Sequence, residues 1–164
     1  MNTRDPLSIR PLAFVFWAGV LGGLYLTRLY SYLLFHSLAE LFSISIACGV
    51  YMIVWNSRRS LENSYLLYFT TAYAFAAALD GLHLLSYKGM GIFPGLDANV
   101  PTQLWIAARY LQSLALLAAP WLADRRVNPP RALAGCGMIA ALLAVSVFAG
   151  VFPDCFIEGK GLTP

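Results

Sequence analysis

FHSLAELFSISIACGVYMIVWN, residues 35–56, is the stretch on which the fold turns. As an α-helix it would cover about 33 Å, close to the ~30 Å of hydrocarbon in a bilayer. Its apolar residues run on without alternating, so it does not read as the in-out strand of a membrane β-barrel. Yet His36 and Glu40 stand inside it, one helical turn apart and on one face. Hydrocarbon is a costly environment for both, so the stretch raises a question of chemistry together with one of architecture.

The rest of the chain repeats the pattern. Of 164 residues, 59% are hydrophobic and 12% charged, against about a quarter charged in an average soluble domain. No Asp, Glu, Lys, Arg or His falls between Arg10 and Arg28, between Glu62 and Asp80, or between Arg131 and Asp154. Backbone groups in lipid find no water, so spans without alternation must be helices. The sequence predicts an all-α, polytopic transmembrane bundle. Its five helices are expected at about 12–27, 30–55, 64–87, 102–122 and 132–152. The first apolar run has no A-x-A site and leads straight into a second, unlike a cleavable signal peptide.

Loop charges give an orientation. Arg4, Arg10, Arg58, Arg59, Arg125, Arg126 and Arg131 fall on one side, and Arg28, Lys88 and Lys160 on the other. The positive-inside rule then expects a cytoplasmic N-terminus and an outer tail after the fifth helix. That assignment absorbs the net charge of +3; no basic soluble face remains for a nucleic-acid partner, and the lipid bilayer is the expected one. Cys48, Cys136 and Cys155 are scattered and odd in number, which offers neither a disulfide framework nor a metal spacing. A tail ending outside suggests the N-terminal piece of a longer protein, with one or three further crossings.

The third expected helix carries ALDGLHLLSYKGM, residues 78–90, with Asp80 and His83 one turn apart. The fourth carries PTQLWIAARYLQS, residues 101–113, with Arg109. Counted from the outer ends, His36 lies about 9 Å deep, Glu40 about 15 Å and Arg109 about 10 Å. Three helices thus bring ionisable residues to a common level in the outer half. One reading is an interhelical ion network that fixes packing. The other is a ligand site of His36, Glu40, Asp80, His83 and Arg109. Two imidazoles and two carboxylates, His36, Glu40, Asp80 and His83, would suit a transition metal ion; a bis-histidine haem is the lesser alternative.

These same residues bring a resemblance into view. FHSLAELFSI (35–44), LDGLHLLSYKGMG (79–91), PTQLWIAARYLQS (101–113) and FPDCFIEGKGLTP (152–164) resemble the bacterial membrane-associated sensor domains of the third described type. The likeness runs from about residue 32 to 164. It matches His36 and Glu40, then Asp80, His83, Lys88 and Gly89, then Gln103, Trp105 and Arg109, and departs at Gly81, where Leu is usual. The resemblance implies that residues 1–164 form one transmembrane sensory input domain of the bacterial inner membrane. It implies an output domain in the same chain, of the histidine kinase or diguanylate cyclase kind, and signalling of this sort expects a homodimer. It does not name the stimulus. The alternative from the residues alone is a membrane metalloenzyme of the lipid hydrolase type, with a metal-bound water and Glu40 or Asp80 as base.

Overall fold

The structure, a computed structural model, describes residues 6–61, 65–122, 125 and 128–163. Arg4 and Arg126 of the charge argument, Ser64 at the expected start of the third helix, and Pro164 lie outside them. The five expected helices are present: α1 (Pro6–Tyr30), α2 (Tyr32–Ser57), α3 (Tyr65–Ser86), α4 (Asn99–Leu122) and α5 (Pro129–Phe148). A small hairpin follows, β1 (Phe156–Ile157) antiparallel to β2 (Gly161–Leu162). The chain divides into two compact units, Met1–Ala39 and Glu40–Pro164.

In the first unit α1 and α2 meet at one residue, Ser31. Its N–H closes α1 on the Thr27 carbonyl at 2.8 Å, and its own carbonyl receives the Phe35 N–H at 3.1 Å. Its hydroxyl oxygen accepts from Leu34 N–H at 3.4 Å, the position of an N-cap. The first helix therefore ends three residues beyond the expected 27, and the second begins at 32 rather than 30.

The second unit is built on α3, α4 and α5, each packed on the other two. Their shared core is made largely of small side chains: Ala76, Ala107, Ala108 and Ala140 pack with Leu79, Leu104, Leu111 and Val147. Lipid tails are as apolar as leucine, so membrane helices gain from close approach rather than from leaving water, and small residues permit it. At Gly137 of α5 a Cβ would stand 2.9 Å from the tip of the Phe75 ring on α3. Outer surfaces show the opposite composition. Leu114, Leu117, Trp121, Leu142 and Val145 are exposed, and on α2 only Val54 is buried.

Among the described residues three helices are long and apolar enough to cross a membrane: α1 from Pro11, α2 and α5. At 22 and 24 residues α3 and α4 have the length as well, but Asp80, His83, Gln103, Arg109 and Gln112 interrupt their apolar character.

Local chemistry explains where helix ends depart from the sequence reading. Asp97 Oδ1 accepts from Asn99 and Val100 N–H at 3.1 and 3.3 Å, so α4 begins three residues before Thr102. The fifth helix ends at Phe148 rather than 152 because Gly150 takes φ 69°. Val151 N–H returns to Ser146 O at 2.9 Å and Gly150 N–H to Val147 O at 3.0 Å, a Schellman closure that needs a residue tolerant of positive φ. At the other end of α5, Asn128 caps Arg131 N–H ahead of Pro129.

Candidate functional site

Asp80 and His83 stand one turn apart on α3 and are both buried. Helix α4 packs closely along this face because Ala107 and Ala108 leave room for it. The approach brings Arg109 Nη2 into an ion pair with Asp80 Oδ2. The Asp80 side chain is only 6% exposed and that of Arg109 39%, so the carboxylate is the group that depends on the pairing. The pair is incompletely satisfied. Asp80 Oδ1 and Arg109 Nε are buried with no hydrogen-bond partner among the described residues. Trp105, one turn before Arg109, places its ring 5.8 Å from the guanidinium.

His83 is held from α4. Its Nδ1 lies 2.7 Å from the carbonyl oxygen of Pro101. A carbonyl can only accept, so Nδ1 carries a proton and donates it here. The Tyr87 ring meets the imidazole edge-on at 5.8 Å. Glu40, half-buried on α2, brings a carboxylate oxygen within 4.8 Å of a His83 ring nitrogen. Both Glu40 and His83 lie close enough to Asp80 for their charges to act on it. Of the five residues singled out by sequence, Glu40, Asp80, His83 and Arg109 are thus gathered in the second unit. His36 belongs to the first unit, where its ring stacks on Tyr32 with centroids 6.1 Å apart. Lys88 stands apart and pairs with Glu158 at 3.3 Å, both side chains largely exposed.

Beside the ion pair a groove of about 410 Å³ opens between α2, α3 and α4. Ser43 and Ala47 of α2, Tyr73 and Ala77 of α3, and Gln112 of α4 line it, with Asp80 and Arg109 in its wall. Ser43 and Ala47 are the residues that continue the His36–Glu40 stripe along α2.

Pro101 and Asn99 organise the site without a local sequence signal, and Gln103, matched in the resemblance, had no role assigned by it. Pro101 contributes only a backbone carbonyl. Asn99 and Gln103 tie the start of α4 to the tail across some fifty residues of chain. Asn99 Nδ2 donates to Asp154 at 2.8 Å, and its Oδ1 accepts from the Cys155 and Phe156 N–H groups at 2.9 and 3.0 Å. Gln103 Nε2 donates to the carbonyls of Phe152 and Pro153, both at 2.9 Å. The tail after α5 is thereby docked as a cap on the start of α4. Cys155 is buried there, and burial, with the Asp154 carboxylate beside it, pushes its thiol above the ordinary value.

The arrangement couples three helices through charge. A motion of α4 along its axis would strain the Asp80–Arg109 pair, the His83–Pro101 bond and the tail contacts together. Residues 27–164 match the family model of the membrane-associated sensor domain known as MASE3. No curated protein and no solved structure matches the chain.

Proposed function

The chain belongs to the membrane-associated sensor domain family, and from that premise we propose that its polar cluster is where the stimulus is received. The observation that carries the reading is the Asp80–Arg109 pair between α3 and α4, its carboxylate buried, with Glu40 and His83 beside it. Two carboxylates against one guanidinium leave a negative charge at a level where hydrocarbon penalises it. A bound cation would balance that charge. His83 gives one ring N–H to the Pro101 carbonyl, the kind of orienting contact that metal-ligating histidines make. Glu40 and Asp80 supply oxygen ligands, and His36, four residues before Glu40, is the further nitrogen offered by the sequence spacing. A transition metal ion is the leading candidate, and Arg109 holds Asp80 in place.

The domain sits in the bacterial inner membrane with its N-terminus in the cytoplasm, as the arginine distribution supports. It passes the stimulus to a cytoplasmic output domain of the kinase or cyclase kind and works as a homodimer. Binding would draw α2 toward α3, and that shift between helices is the signal.

The test is metal content. The protein purified without chelator is expected to carry a stoichiometric transition metal by mass spectrometry. His83→Ala and Glu40→Gln are expected to lose it while keeping their helical circular dichroism. Sub-stoichiometric metal in every preparation, no haem absorption band, and variants that lose only thermal stability would reduce the cluster to a packing network.

A further inference from the structure

A second concavity runs along the seam of α4 and α5. Two hollows, of about 400 and about 160 Å³, share Leu114 of α4 and Ile139 of α5 and so form one furrow. Leu117 and Leu143 continue its walls, which are almost wholly apolar. Small residues keep it open. Ala115 and Ala132 in its lining are buried. A Cβ added at Gly135, also in the lining, would meet nothing within 4 Å.

The furrow has a length and a charged end. From Arg131, which lines that end, to Leu143 is twelve residues of α5, or about 18 Å at 1.5 Å per residue. One leaflet of a ~30 Å hydrocarbon core is about 15 Å deep. Trp121, 68% exposed near the end of α4, marks the headgroup level. Arg131 is exposed at this end, and Arg125 follows α4 directly, its N–H on the Leu122 carbonyl at 3.1 Å. Residues 123–131 carry three arginines against the single carboxylate of Asp124. The first turn of α5 holds no acidic residue, so the positive end of its dipole adds to theirs.

We propose that this furrow holds an anionic phospholipid of the arginine-rich leaflet, its phosphate at Arg131 and one acyl chain laid between Leu114 and Ile139. A guanidinium suits a phosphate in charge and in shape. Basic hollows between membrane helices are the known form of headgroup recognition. A choline head would bring its ammonium into the same positive end, whereas a glycerol head leaves the phosphate charge unopposed. The inference is independent of the sensory reading and of the Asp80 cluster.

The experiment uses the chain in nanodiscs with two phospholipids that share a photoreactive acyl chain, a phosphatidylglycerol and a phosphatidylcholine. Expected is saturable labelling by the phosphatidylglycerol, mapped to peptides of α4 and α5, with half-saturation at least tenfold below that of the phosphatidylcholine. Gly135→Leu, which fills the furrow without meeting a neighbour, should abolish it. Arg131→Gln should bring the two lipids within about twofold of each other, and Arg131→Lys should keep most of the preference. Equal labelling of wild type by both lipids, or labelling spread evenly over α1 and α2, would reduce the furrow to ordinary lipid contact and overturn the proposal; this comparison decides alone if a variant fails to fold. A preference that survives Arg131→Gln, with helical circular dichroism intact, would overturn the headgroup assignment. Displacement by oleate but not by unlabelled phosphatidylglycerol would make the occupant a fatty-acid anion and overturn the choice of phospholipid.

Discussion

Removing Arg109 should damage this protein more than neutralising Asp80, although both changes break the same ion pair. In Arg109→Ala the Asp80 carboxylate stays behind, its side chain 6% exposed and one oxygen already without a partner among the described residues. Stranding one member of a buried pair typically costs ~3–5 kcal/mol. Arg109 is 39% exposed, so its removal opens a path for water, which places the cost near the lower end, at about 3 kcal/mol. In Asp80→Asn the residue left behind is the long, half-exposed arginine, which can turn its head toward the interface. The loss is then about 1 kcal/mol, that of a typical hydrogen bond. For a chain of this size each kcal/mol shifts Tm by roughly 2–4 °C, so Arg109→Ala should lower it by roughly 6–12 °C and Asp80→Asn by roughly 2–4 °C. Scanning fluorimetry in one detergent, with the double variant completing the cycle, reads all three. The double variant should be no less stable than Arg109→Ala, because it removes the stranded charge. If Asp80→Asn proves as costly as Arg109→Ala, or the two losses add within about 0.5 kcal/mol, the carboxylate is not the dependent partner.

Other outcomes follow from the packing and the cap. Gly137→Ala should cost about 1 kcal/mol through overpacking against Phe75, and Phe75→Leu should restore most of it in a thermal scan. Asn99→Ala removes three hydrogen bonds to the tail and should speed alkylation of Cys155 at least tenfold while Tm changes little; an unchanged rate would detach Asn99 from the cap. The raised Cys155 thiol leaves cap docking insensitive to pH near neutrality. Docking should weaken above the ordinary thiol value, where the released tail ionises first, and alkylation of the docked form should still be accelerating there. In a cysteine-free background, a cysteine at Ser60 should resist an impermeant reagent in intact cells and one at Asp97 should react, whereas the opposite pattern would invert the orientation.

What the sequence made legible was governed by composition and spacing. Long apolar runs placed five helices because the bilayer fixes their length, and His36, Glu40, Asp80, His83 and Arg109 stood out because ionisable groups are rare in such runs. The ends of α4 and α5 were harder to read. They depend on where Asp97 and Gly150 direct a few backbone bonds, and both residues sit in stretches that also read as helix margin or loop. The groove was invisible for a different reason. Ser43, Ala47 and Gln112 are ordinary helix residues, and only the packing of three helices makes them a wall. The clamp of Asn99 and Gln103 on the tail joins residues some fifty positions apart, beyond any periodicity.

The alanine-rich seam between α3, α4 and α5 also constrains how such a protein can vary. Ala72, Ala76, Ala107 and Ala108 are fully enclosed and already nearly the smallest side chains available. Substitution there is one-sided: little can be trimmed away, and almost every single-nucleotide change adds volume or charge and pries two helices apart. A residue on the lipid face tolerates exchange among most apolar types. Across a library of random variants, tolerated changes should therefore be plentiful on the outer faces and nearly absent along the seam. Drift in this domain would be channelled toward its surroundings, the groove and the cap, while the three-helix interior stays fixed as the frame against which they change.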